Sequence, residues 1–172
     1  MGKKRFWIIG LMALVLTGCG NVDPQRPTQR KSAAPAVDST QLALLELNQR
    51  LTVAADDQLT QLAQQEGQFV LYERGTWVRT VIWGDQDKKV NPGEQCTVQM
   101  RVFSLKGTLY LDTEQTVTVG KNELPAAVDD NLPEWHHGAK LILLAPWYAA
   151  YGIQGKEPIP PYENIRIELA IK

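Results

Sequence analysis

The sequence predicts an α+β chain: an N-terminal amphipathic helix, then a half-wrapped antiparallel β-sheet with one short helix on one face. Three observations carry this. Leu44, Leu47, Leu51, Ala55, Leu59 and Leu62 recur at steps of three and four before Gly67, the spacing of one helix face. From Gln68 onward the period changes, and Ile165, Ile167, Leu169 and Ile171 alternate as residues of a half-buried strand do. Between these two patterns only the stretch from about Glu123 to about Leu132 reads as helical.

The chain has 172 residues, and its first 18 read as a targeting signal. Lys3, Lys4 and Arg5 make a basic start, and Phe6 to Leu16 is apolar but too short to span a bilayer as a mature helix. Leu16-Thr17-Gly18-Cys19 follows and resembles the lipobox of bacterial lipoproteins, which implies cleavage after Gly18 and lipid attachment to Cys19. Residues 19–37 are rich in Asn, Pro, Gln, Arg, Ser and Ala. They offer too little apolar surface for a core and are expected to act as a flexible tether.

Asp38 or Ser39 is a suitable cap for the helix, which occupies residues 38–67 with Gly67 as its stop. Its leucine stripe needs a cover, either its own domain or a second copy. The remainder, 68–172, is expected to form the sheet domain. Strands are expected at 69–72, 77–83, 96–103, 108–111, 115–119, 139–145 and 163–171, with turns at Arg74-Gly75 and Gly84-Asp-Gln-Asp87.

Composition excludes several function classes. Without Lys3, Lys4 and Arg5 the 18 basic residues fall to 15 against 19 acidic, a net charge of −4, so a nucleic-acid partner is not expected. With Cys19 lipidated, Cys96 is the one remaining thiol and reads as a small core residue. His136-His137 are adjacent, with no further His, so they read as a solvated loop and no metal site is expected. Asp129, Asp130 and Glu134 read as an exposed helix face. No phosphate loop, Ser/His/Asp arrangement or zinc motif is present, and no cofactor is expected.

The C-terminal region carries a more specific pattern. It runs Gly138-Ala-Lys-Leu-Ile-Leu-Leu-Ala-Pro146, Trp-Tyr-Ala-Ala150-Tyr151-Gly152, Ile159-Pro160-Pro161 and the final alternating strand. This resembles the C-terminal half of FKBP-type peptidyl-prolyl isomerases: an apolar strand ending at Pro, then Ala-Tyr-Gly, a flap and Ile-Pro-Pro. Upstream, Gly93 to Tyr110 and Val119-Gly120-Lys121 keep the family's order of strand, glycine turn, strand and helix. The resemblance covers about residues 75 to 172 and implies an FKBP-like fold.

It also implies a chemistry. Rotation about an X–Pro amide has a barrier of about 18–20 kcal/mol. The twisted transition state loses charge separation, so an apolar, water-poor pocket favours it over the planar amide. By resemblance Tyr151 is the hydroxyl donor to a substrate carbonyl, Tyr110 a lining aromatic and Ile159 the flap residue. Leu124 takes the place of a lining Val, while Val117 and Ile167 take places the family gives to Phe. Departures accompany these matches: Val128 stands where the family has its floor Trp, Met100 where it has a strand Tyr, and Leu111 where it has an Asp, unless a slip of one residue brings in Asp112. Pro125 stands where it uses a backbone N–H.

The implied function is an isomerase of modest activity acting on proline-containing segments of envelope proteins, held to the membrane by its lipid. By resemblance to enteric sorting, Gly20-Asn21-Val22 after Cys19 suggests the outer membrane, facing the periplasm. Two rivals follow from the same residues. One is a catalytically degenerate binding module of the same fold; the other makes the 39–66 helix a homodimerisation element.

Overall fold

The structure, a computed structural model, describes residues 39–172. The expected signal sequence 1–18, Cys19, the expected tether 19–37 and the candidate cap Asp38 lie outside the described residues.

Helix α1 spans Ser39–Glu66. Gly67 ends it in a left-handed conformation (φ 71°), its N–H reaching the Ala63 carbonyl at 2.9 Å, which only glycine does without a Cβ penalty. The stripe divides in two. Ala55, Leu59 and Ala63 are buried, with Leu144, Phe69, Trp77, Leu62 and Leu105 around Leu59 and Ala63. Leu42, Leu44, Leu45 and Leu47 stay exposed, so any pairing with a second copy through α1 has these residues to use. Polar contacts fix the docked half: Tyr148 donates to Asp56 Oδ1 at 2.5 Å and Asn164 to Gln58 at 2.8 Å. Arg166 reaches both carboxylate oxygens of Glu66 at 3.0 Å.

Six strands follow: β1 (Val70–Leu71), β2 (Trp77–Ile82), β3 (Gln95–Ser104), β4 (Leu109–Thr118), β5 (Lys140–Ala145) and β6 (Ile165–Ile171). All neighbours pair antiparallel, in the order β1-β2-β5-β6-β3-β4. The predicted alternation holds where burial is one-sided: Ile165, Ile167, Leu169 and Ile171 are buried, as are Cys96, Val98, Met100 and Val102. They form one core with Leu124, Ala127, Val128, Leu132 and Trp135. Burial pushes the Cys96 thiol up, which fits a core residue and not a nucleophile.

Four expectations need correction. The two strands expected at 108–111 and 115–119 are one strand, β4, in register with β3 through Arg101↔Asp112, Met100↔Thr113, Gln99↔Glu114 and Val98↔Gln115. Asp112 to Thr116 look like a break because β4 is a sheet edge whose middle is exposed; main-chain pairing continues without an apolar signal. Exposed ion pairs accompany the ladder, Arg101 with Asp112 at 3.6 Å and Lys172 with Glu114 at 2.6 Å.

The helix expected over 123–132 contracts to α2, Ala126–Asp129, followed by a 3₁₀ turn at Leu132–Glu134. Pro125 precedes α2, and Pro133 lies in the 3₁₀ turn; neither has a main-chain N–H to extend a helical ladder. Asp129 is not on an exposed face. It is buried, with Oδ2 accepting the Asn122 N–H at 3.0 Å and Oδ1 without a partner among the described residues.

The histidines differ as well. His137 joins the C-terminal Lys172 carbonyl (2.7 Å) to Glu94 Oε1 (2.8 Å), and these two acceptors raise its pKa above the ordinary imidazole range. The His137 ring therefore ties the residue after β6 to the residue before β3. Among the described residues no group of three or more His, Cys, Asp or Glu is placed to hold a metal ion.

Candidate functional site

Where α2 leaves the sheet uncovered, a cleft of about 290 Å³ opens. Met100 of β3 and Leu111, Thr113 and Gln115 of β4 line one side; Glu123, Leu124 and Pro125 line the approach to α2. Ala150, Tyr151 and Lys156 close it from the segment after β5. That segment is set by hydrogen bonds to the Trp147 backbone: Asn164 Oδ1 accepts its N–H at 2.9 Å, and the Gly152 N–H donates to its carbonyl at 2.8 Å. The flap beyond folds back through the Lys156–Ile159 pairing. Gly155 permits this at φ 67°, where a Cβ would meet the Ile159 carbonyl and the Pro160-Pro161 backbone.

Tyr151 is the polar centre of the cleft. Its hydroxyl makes no hydrogen bond to another described residue, and burial pushes its pKa up to about 12, so it stays a protonated donor at physiological pH. The Lys156 ammonium stands 5.8 Å from its ring centroid, a cation–π distance. Glu123 is turned toward the backbone, accepting the Thr118 N–H at 3.4 Å.

The residues singled out from sequence separate into three groups. Tyr151, Met100 and Leu124 line the cleft, together with Leu111 and Pro125. Val117, Val128, Ile159 and Ile167 do not line it; they belong to the closed core, Ile159 at 3 % exposure. The Ile159 N–H is taken by the Lys156 carbonyl.

Tyr110 forms the third group. It is the extra residue of a β-bulge, since Val102 pairs with Leu111 and Phe103 with Leu109. It lines a second cleft against α1, where it donates to Glu163 at 3.2 Å; burial, then Glu163, raises its pKa. Thr113, Gln115, Ala150, Glu123 and Lys156 line the cleft without being assigned to a site from sequence. The strand residues had a signal, because 111, 113, 115 and 117 share one face of an unbroken β4; Lys156 in the flap had none.

No protein-family profile matches the chain, and no curated protein matches it. Among solved structures it is similar to a peptidyl-prolyl cis-trans isomerase from Pseudomonas syringae pv. tomato strain DC3000. The TM-score is 0.60 at 16% sequence identity, covering 71% of this chain and 92% of that one. This likeness shows the fold: an FKBP-like α+β fold, preceded here by α1.

Proposed function

We propose that the chain is a peptidyl-prolyl cis-trans isomerase of the FKBP type with modest activity, working in the bacterial cell envelope. The observation that carries this is the free Tyr151 hydroxyl in a mixed cleft, where Met100, Leu111, Leu124 and Pro125 supply an apolar wall beside Thr113, Gln115, Glu123 and Lys156, on a fold that a peptidyl-prolyl isomerase shares. A prolyl ring would lie against Met100, Leu111 and Leu124, and the Tyr151 O–H would donate to a substrate carbonyl. The apolar wall would favour the twisted amide over the planar one by excluding water. No covalent step is involved.

The rate is expected to be low because Pro125, which lines the cleft, has no N–H to donate to a substrate. If that loss costs about 1.4 kcal/mol, the rate falls about tenfold. The same observation favours a second reading, a binding module that holds prolyl segments without turning them over.

An NMR exchange assay on a prolyl tetrapeptide tests both. Acceleration without added metal is the expected result for wild type, and Tyr151→Phe is expected to weaken binding by about 0.5–1.5 kcal/mol, the net worth of one hydrogen bond. Binding without acceleration moves the conclusion to the binding module, and neither binding nor acceleration removes both readings.

The envelope reading rests on Leu16-Thr17-Gly18-Cys19, with lipid on Cys19 as the anchor, the periplasmic face of the outer membrane as the location, and X–Pro segments of envelope proteins as partners. Among the described residues no helix is long and apolar enough to cross a membrane. Wild type is expected to partition into detergent, whereas Cys19→Ala should remain uncleaved or in the aqueous phase. Equal partitioning, with no acyl chain on Cys19 by mass spectrometry, counts against the anchor.

A further inference from the structure

The second cleft, between α1 and the β3–β4 turn, measures about 670 Å³. Its α1 wall is Gln58, Gln61, Leu62 and Gln65, whose spacing puts them on one helix face. Ser104, Leu105, Lys106 and Thr108 face them, and Tyr110, Glu163 and Asn164 close one end. Leu62 and Leu105 are partly buried against the Leu59 cluster and supply the apolar part. The turn satisfies itself, Ser104 and Thr108 exchanging main-chain and side-chain bonds of 2.8 and 3.0 Å. Asn164 occupies Gln58. Gln61 and Gln65, both exposed, make no hydrogen bond to any described residue, so each offers an amide donor and an amide acceptor.

We propose that this glutamine-lined cleft binds the extended main chain that flanks the prolyl residue of a polypeptide substrate; the proposal rests on the isomerase reading above. Three features point to this occupant. Lys106 and Glu163 cancel, so the lining has no net formal charge, and the free amides match the one donor and one acceptor of a neutral peptide group. Gln58 to Gln65 extends roughly 10 Å along the helix, the length of about three residues of extended chain. The clefts are also adjacent along β4: Tyr110 lines one and the next residue, Leu111, lines the other, and at the bulge both pack against the core. A chain whose prolyl ring lay against Leu111 would cross Tyr110 into the groove.

The test compares two substrates for wild type and a Gln61→Ala/Gln65→Ala double variant of the full chain. The substrates are a prolyl tetrapeptide, too short to reach the groove, and a reduced, alkylated protein whose refolding is limited by one prolyl bond. The double variant is expected to keep wild-type kcat/KM on the tetrapeptide. On the protein it should lose about three- to tenfold, through KM and with kcat unchanged. Equal values for the two proteins on the long substrate overturn the groove while leaving the isomerase reading intact.

If neither substrate is turned over, the isomerase reading fails separately. NMR titration with the alkylated protein chain then decides the groove. Shifts of the Gln61 and Gln65 side-chain amides, absent with the tetrapeptide, support it, and their absence overturns it.

Discussion

Replacing Val128 by Trp is expected to destabilise the fold by about 3 kcal/mol and to leave prolyl isomerisation no faster. By the sequence resemblance Val128 takes the place of the floor indole of FKBP-type isomerases, so from sequence alone the substitution promises either a restored wall or an overfilled core. In the structure Val128 is 0 % exposed in a closed core with Ala127, Leu132 and Ile167, and it does not line the cleft. Its N–H is bonded to the Pro125 carbonyl at 2.8 Å, so the backbone is not free to retreat. An indole placed there has to displace neighbours, and overpacking of this kind costs about 1–3 kcal/mol or more. Chemical denaturation alongside the tetrapeptide assay checks this. A faster enzyme with an unchanged denaturation midpoint would show that the position opens to the cleft.

Truncating Leu59 to Ala is expected to cost about 3 kcal/mol, whereas Leu44→Ala should stay within about 0.5 kcal/mol of wild type. Both leucines belong to the same sequence stripe. Leu59 is 0 % exposed against Leu144 and its neighbours, and Leu44 is 55 % exposed. A cavity at Leu59 also loosens the helix that Asp56–Tyr148 and Glu66–Arg166 hold to the sheet. Urea unfolding of both variants at low protein concentration, where self-association does not contribute, tests the contrast. Equal destabilisation would mean that the two halves of α1 are covered alike.

That contrast separates what periodicity reports from what it leaves open. A three-and-four spacing reveals that a helix has an apolar face, and Gly67 reveals where it stops, because both are local properties of the chain. Which half of the face meets the sheet depends on the reach of β5 and of the turns at Trp147 and Asn164, which are remote in sequence. The same division appears in β4: alternation marks strands buried on one side, so an edge strand with a polar middle disappears from the pattern while its main-chain pairing persists. In the sequence Asp129 reads as solvated, as a carboxylate on a short polar helix usually is; in the structure it is buried, its Oδ2 accepting the Asn122 main-chain N–H.

The candidate site divides along the same line. By itself the sequence determined the α+β order, the final alternating strand, the Ala-Tyr-Gly turn that carries Tyr151 and the apolar residues that become core. These rest on hydropathy and on glycine and proline positions, which act over a few residues. The tertiary structure decided which of the pocket residues reach a surface. Met100, Leu124 and Tyr151 do, whereas Val117, Val128, Ile159 and Ile167 close over one another, and a bulge carries Tyr110 to the α1 groove. A side chain's exposure is set by whatever packs across from it, and for these residues that partner comes from a distant part of the chain, held there by strand register and main-chain hydrogen bonds.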